Sequence, residues 1–300
     1  MTLPLHGLCA FPITPANEHG TINAAAYRAL VARLAQAKVD SIGLLGSTGG
    51  YMYFEPGERK RGLDVAMEEI SGALPAIVSV GALRTDIAID LARHARSAGA
   101  IAGLLAPVSY APLSEGEVFE HYAAVAGESG LPIIIYDNPG TTHFEMSPAF
   151  IDRLAAIEGV VAIKNAAGET HEALAQLSRQ RRALPAGFAI GYSGDKRSIE
   201  PLIAGADTWY SVIGGTLPSV GLAMTRAAQG GNADQARRLS GELAPVWNLF
   251  KKYSSMRVVY AIAEALGYET GTPPRPILPL SEAAKEEVAS ALRALGELAA

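Results

Sequence analysis

Pro132-Ile133-Ile134-Ile135-Tyr136 and Val160-Val161-Ala162-Ile163-Lys164 are short, almost wholly apolar runs, each closed by one residue with a polar tip. A run of this length, rich in β-branched residues and lacking polar alternation, is the pattern of a parallel strand buried on both faces. Six further runs repeat it: Leu5–Ala10, Ser41–Leu45, Ala76–Val80, Ile101–Ala106, Phe188–Tyr192 and Thr208–Val212. Between them lie stretches such as Ala24–Ala37, Arg59–Ile70, Asp86–Ser97 and Glu117–Glu128, whose apolar residues recur every three or four positions, as on a helix packed along one side. Asn23 and Ser114 stand where N-caps belong, and Asp86 reads as another helix start. Strand and helix in alternation give an α/β chain, and eight strands are enough to close one sheet on itself. The expectation is a (β/α)8 barrel, the TIM barrel, over residues 1–215.

An open, doubly wound sheet is the competing architecture. Its dinucleotide fingerprint needs G-x-G-x-x-G after the first strand, where this chain has Phe11-Pro12-Ile13-Thr14-Pro15. The barrel is preferred. Over residues 216–300 the strand signal stops and alanine-rich helical segments take over. The cluster Thr272-Pro273-Pro274-Arg275-Pro276 interrupts them, and its prolines demand an extended strap.

Composition excludes several classes. The 300 residues are 49% hydrophobic and 18% charged, which suits one large buried core. A net charge of -5 offers no basic stripe to neutralise phosphates, so a nucleic-acid partner is not expected. No apolar stretch is long enough to span a membrane, and Met1-Thr2-Leu3-Pro4 carries no charged leader, so the expected compartment is the cytoplasm. One cysteine, Cys9, precludes an internal disulfide or a cysteine-rich metal site.

The chemistry follows from where a barrel keeps its reactive groups, at the C-terminal ends of its strands. That rule brings Ser47, Thr48, Ser109, Tyr136, Lys164 and Asp195 to one rim. The other lysines have polar neighbours, whereas Lys164 ends an apolar run. Desolvation of an ammonium lowers its pKa and frees an amine that attacks ketones. A lysine at a strand end can also snorkel to solvent or pair with an acid, and a buried tyrosine can be plain core. The pair is more telling than either member, because Tyr136 and Lys164 end adjacent strands. Gly46-Ser47-Thr48-Gly49-Gly50 offers open amides and two hydroxyls suited to a carboxylate or phosphate, or is simply a flexible turn. His94, His121 and His171 fall on helical segments and read as surface residues, and no second histidine follows His171 at metalloprotease spacing. His143 follows Tyr136 on the rim and can face substrate.

Taken together, these residues resemble the dihydrodipicolinate synthase and N-acetylneuraminate lyase family of pyruvate-dependent class I lyases, over nearly the whole chain. Gly7–Pro15 is similar to that family's opening strand, Gly46-Ser47-Thr48-Gly49 to its G-[ST]-T-G turn, and Tyr136-Asp137-Asn138-Pro139 to its Y-N-x-P segment. Ile163-Lys164-Asn165 resembles I-K-[DE], Ser193-Gly194-Asp195 resembles S-G-D, and Arg275–Leu280 resembles the strap before the last helix. The resemblance implies that Lys164 forms a Schiff base with a 2-oxo acid, that Tyr136 relays protons with Ser47 in support, and that Ser47 and Thr48 hold the carboxylate. The backbone near Tyr210 and Gly214-Gly215 would complete the pocket. It implies no metal and no organic cofactor, a 2-oxo acid and an aldehyde as small-molecule partners, and a homo-oligomer, tetramer or dimer.

Three positions depart from the family. The second relay tyrosine of the synthases has Ser109 in its place, with Tyr110 one residue later; their carboxylate-clamping arginine is Thr141; and the usual glutamate after the turn is Gly50. A neutral hydroxyl does not replace a bidentate guanidinium. The expected activity is therefore an aldolase or dehydratase acting on a sugar acid or similar catabolic substrate, with Ser109, Thr141, His143 and Asp195 setting specificity. The alternatives are a true 4-hydroxy-tetrahydrodipicolinate synthase, a phosphate-dependent barrel enzyme gripping its anion with Gly194-Asp195-Lys196-Arg197, and a non-catalytic 2-oxo acid binding protein.

Overall fold

The computed structural model describes residues 3–299. Its eight strands are β1 (Gly7–Ala10), β2 (Ser41–Leu44), β3 (Ala76–Ser79), β4 (Ala102–Leu105), β5 (Ile133–Asp137), β6 (Val160–Ala166), β7 (Ala189–Ser193) and β8 (Thr208–Ser211). Each pairs in parallel with the next, and β8 pairs with β1, so the sheet closes in chain order. All eight lie within or against the runs expected from sequence. The (β/α)8 barrel is the observed fold.

The helices that wrap it are α1 (Ala24–Ala37), α2 (Pro56–Ile70), α3 (Thr85–Ser97), α4 (Glu115–Ser129), the single turn α5 (Pro139–Thr142), α6 (Pro148–Ala155), α7 (Thr170–Ala183) and α8 (Asp195–Ile203). α9 (Pro218–Gln229) packs against α8, α1 and β1 and so fills the eighth place in the ring. The helical ring therefore runs past residue 215, the boundary expected from sequence, because strand signals end one helix before the barrel does. α10 (Ala233–Glu242), α11 (Ala244–Tyr253), α12 (Ser255–Ala265) and α13 (Glu282–Leu295) form the C-terminal segment, with the proline strap extended between α12 and α13. No described helix is long and apolar enough to cross a membrane.

Local signals set the helix starts. The Asn23 side chain accepts from the Ala26 amide at 3.1 Å, and Ser114 and Glu117 form a reciprocal capping box. Asp86 differs from expectation: α3 begins one residue earlier, and Asp86 sits in its first turn, where its carboxylate pairs with Arg84 at 2.6 Å. A negative charge there complements the positive end of the helix dipole without capping the helix.

Strand alternation divides the core in two. Ile134, Tyr136, Ala162, Phe11, Leu104 and Tyr210 belong to the cluster inside the barrel, while Ile133, Ile135 and Ile163 join the larger core beneath the helices. Both faces are apolar, which explains why the strand runs lack polar alternation. Asn165 is a consequence of the same period. One residue past Lys164, it points outward, and its carboxamide exchanges hydrogen bonds of 3.0 and 2.9 Å with Gln180 of α7 and donates to the Gly191 carbonyl. Neither amide is exposed to solvent. Gln180→Leu strands the Asn165 amide, and a loss of about 1–3 kcal/mol is expected in denaturant unfolding. A midpoint equal to that of the unaltered protein would contradict this role.

Candidate functional site

Tyr136 and Lys164 are register partners on β5 and β6, so their side chains leave the sheet on the same side. The Lys164 Nζ lies 4.2 Å from the centre of the Tyr136 ring and 5.7 Å from that of Phe11. Lys164 is 8% exposed and Tyr136 4%. An amine in such a place loses most of its hydration and receives in exchange the negative faces of two rings. Burial alone would raise the Tyr136 phenol. The Lys164 charge, with hydrogen bonds from Ser47, Thr141 and Asn138, outweighs it and holds the phenol below its ordinary value. A phenol so lowered is a better proton carrier near neutrality.

Ser47 completes the line, its Oγ 3.1 Å from the Tyr136 hydroxyl, while Asn138 Nδ2 donates to the same oxygen at 3.3 Å. The turn that delivers Ser47 is tightly constrained. A Cβ on Gly46 would stand 2.5 Å from the Phe11 ring, and one on Gly49 would stand 2.6 Å from Thr14 Oγ1. Leu45, which leads into the turn, is buried in the left-handed region at φ 50°. That conformation costs about 1–3 kcal/mol in a non-glycine residue and is held only by its surroundings. Among the described residues, the Ser47, Thr48 and Gly49 amides donate to no protein acceptor. Consecutive open amides of this kind form a nest for an anion.

The cavity above these groups has a volume of about 810 Å³. Ser47, Thr48, Tyr136 and Lys164 form its inner end; Thr141, Ser193 and Asp195 lie along its sides. Asp195, the first residue of α8, is wholly buried and faces inward: it accepts from Ser211 Oγ at 2.7 Å and from the Val212 and Ile213 amides at 3.1 and 3.3 Å. Burial, only partly offset by those bonds, pushes its carboxyl up to about 6. Its observed part is to clasp the loop after β8 to the loop after β7.

The structure thus gathers Lys164, Tyr136, Ser47, Thr48 and Thr141, and leaves three expected residues outside the cavity of the single chain. The Ser109 hydroxyl turns back onto the Ala111 carbonyl of its own loop, and Tyr110 is fully exposed. His143 caps α5 in the left-handed region and faces solvent. The Tyr210 side chain is buried in the barrel interior, edge-on to Phe11, and Gly191, register partner of Lys164, leaves the space its ring occupies. Sequence reasoning missed the part of the outer wall that α11 and α12 supply. Trp247, Asn248, Phe250 and Lys251 of α11 and Met256 of α12 reach the mouth from the C-terminal segment. No strand-end rule marks them, because only the packing of α11 across the barrel brings them there. Among the described residues, no group of three or more His, Cys, Asp or Glu side chains is gathered as a metal site.

Comparison with known proteins agrees with this geometry. A family profile described as the Dihydrodipicolinate synthetase family matches residues 4–295. The 4-hydroxy-tetrahydrodipicolinate synthase of Thiobacillus denitrificans is 34% identical over 284 residues, 94% of each chain. A crystal structure of a dihydrodipicolinate synthase from Agrobacterium tumefaciens superposes with a TM-score of 0.95 at 48% identity, covering 98% of this chain and 99% of that one. The chloride-inhibited enzyme of Acinetobacter baumannii, solved in complex with pyruvate, gives 0.89 at 28% identity, covering 97% and 99%.

Asp137 supplies a test of the electrostatics behind the site. It follows Tyr136, points to the opposite side of β5, and burial pushes it up to about 6. An unfolded aspartate ionises near 3.9, so between about pH 4 and 6 the unfolded chain releases a proton that the folded one keeps. Stability therefore falls as pH rises through that window, and the deficit persists above it. Asp137→Asn, which restores the residue type of the Y-N-x-P pattern, is expected to stabilise the fold by about 1–3 kcal/mol at pH 7, with the gain vanishing near pH 4. A gain that is the same at both pH values, or absent at pH 7, would contradict the assignment.

Proposed function

Because the chain belongs to the dihydrodipicolinate synthetase family and is thereby a class I, Schiff-base-forming lyase, we propose that Lys164 is its nucleophile and that its substrate is a hydroxylated 2-oxo acid of the sugar-acid kind, cleaved or dehydrated. The observation that carries this reading is the buried line Lys164, Tyr136, Ser47, opening onto the free amides of the glycine turn.

The substrate carboxylate sits on the Ser47–Gly49 amides, which fixes the keto carbon over the Lys164 amine. Lys164 adds to that carbon, and the Tyr136 phenol delivers a proton to the oxygen as the carbinolamine loses water. The iminium draws electrons from the adjacent bond. In a cleavage, the Tyr136 phenolate left by the first step takes the C4 hydroxyl proton, the C3–C4 bond breaks, an aldehyde leaves, and the resulting enamine takes a proton at C3. In a dehydration, C3 loses a proton and the enamine expels the hydroxyl at C4 as water. Ser47 and Asn138 hold the phenol in place throughout, and the apolar floor of Phe11 keeps bulk water from the imine.

Thr141 supports a substrate other than aspartate semialdehyde. It occupies the place of the arginine that clamps the far carboxylate in the synthases, and its hydroxyl lies near the Tyr136 phenol, which it helps to lower. The names of the relatives favour the synthase reading; this exchange is the observation against it. The grip around Lys196 and Arg197 expected of a phosphate-dependent enzyme is weakened, because Arg197 pairs with Glu169. A homo-oligomer, dimer or tetramer, remains part of the proposal.

Borohydride reduction in the presence of pyruvate, followed by intact mass, is expected to give one adduct per chain and none in Lys164→Ala. Tyr136→Phe is expected to lower kcat about 10²–10⁴-fold for whichever 2-oxo acid the protein turns over. An unchanged adduct in Lys164→Ala sinks the assignment. With pyruvate and aspartate semialdehyde, turnover is expected to be poor and to improve in Thr141→Arg; efficient condensation by the unaltered protein would return it to the synthases.

A further inference from the structure

Charges on the outer cavity wall do not cancel. Glu169 is paired with Arg197, Glu200 with Arg237 at 2.7 Å, and Asp195 is turned inward onto Ser211. Two lysines are left over, Lys196 on α8 and Lys251 on α11, and among the described residues neither joins an ion pair or donates a side-chain hydrogen bond, although both line the cavity. Both lysines line the same cavity with charges that, among the described residues, no carboxylate pairs, so they are free to meet an anion there.

The framework around Lys251 points the same way. The next residue, Lys252, pairs with Glu287 of α13 at 2.8 Å, and Tyr253 donates to the same carboxylate at 2.9 Å. Those bonds anchor one side of α11 to the C-terminal segment and leave Lys251 directed to the mouth. The joint that follows is strained: Ser254, between α11 and α12, has φ 71° and ψ 140°, a sparsely populated conformation for a residue with a side chain. Strain of this kind persists where the surroundings enforce it, and it clusters at ligand clamps. Immediately beyond it, Ser255 and Met256 also face the cavity.

Resting on the Schiff-base reading above, we propose that Lys196 and Lys251 grip a second anionic group, carboxylate or phosphate, at the far end of the substrate. The carboxylate next to the keto group is already provided for by the Ser47–Gly49 amides at the inner end. A cavity of about 810 Å³ extends well past a three-carbon acid, and its outer wall is where the tail of a longer one must lie. The substrate class is then an acyclic hydroxylated 2-oxo acid charged at both ends. The grip replaces, from α8 and α11, the clamp that Thr141 cannot form.

Borohydride trapping at graded ligand concentrations tests this without knowing the natural reaction. The probes are 2-oxoadipate, ending in a carboxylate, 2-oxo-6-phosphohexanoate, ending in a phosphate, and 2-oxohexanoate, ending in a methyl group. Half-saturation by at least one anionic probe is expected at a concentration about tenfold or more below that of 2-oxohexanoate, and the larger advantage names the anion. In Lys196→Ala and Lys251→Ala that ratio falls toward one, in Lys251→Glu it inverts, and Lys251→Arg restores it. Equal half-saturation of all three acids, no trapping of any of them, or a ratio unmoved by the substitutions overturns the inference while pyruvate is still trapped. If pyruvate itself is not trapped by the unaltered protein, the Schiff-base reading fails first.

Discussion

An amine taken out of water and set over an aromatic ring is the constraint on which the site depends. Among the described residues Lys164 joins no ion pair; its charge meets the Tyr136 and Phe11 rings and, more weakly, the buried Asp195. The barrel enforces this. β5 and β6 are held in register, Tyr136 opposite Lys164, so neither side chain can leave without disturbing strands buried on both faces. The nearby ammonium in turn holds the Tyr136 phenol below its ordinary value. A buried phenol lowered in this way is the expected form of a proton relay.

The rest of the structure serves that pair at increasing distance. Gly46 and Gly49 let Phe11 and Thr14 come close enough to fix the Ser47 turn, and Leu45 takes an unfavourable conformation to enter it. Asn165 and Gln180 lock β6 to α7 from behind, and Asp195 ties the last two strand loops together. α11 closes the outer wall from the C-terminal segment, so that segment is part of the site and more than a cap on the barrel.

Much of this was legible in the residues alone, for a physical reason. A parallel barrel strand is buried on both faces, so it reads as an unbroken apolar run, and a polar residue at its C-terminal end is conspicuous. Tyr136 and Lys164 were visible in that way, and Ser47 through the glycine turn. What was hidden depends on contacts remote in sequence. Nothing in Trp247-Asn248-Leu249-Phe250-Lys251 marks it as a cavity wall, and nothing local announces that Asn165 meets Gln180 on the outer side of β6. Ser109 and His143 follow β4 and β5, and their side chains face away from the cavity of the single chain, a matter of loop conformation that spacing does not encode. The end of the barrel was set too early because α9 looks like the alanine-rich helices that follow it.

In a crystal of the protein soaked in pyruvate, continuous density is expected from the Lys164 Nζ to the former keto carbon, with the carboxylate on the Ser47, Thr48 and Gly49 amides and the Tyr136 hydroxyl within hydrogen-bond reach of the new imine. Pyruvate bound with the Lys164 nitrogen unbonded and turned away from the Tyr136 ring would contradict it.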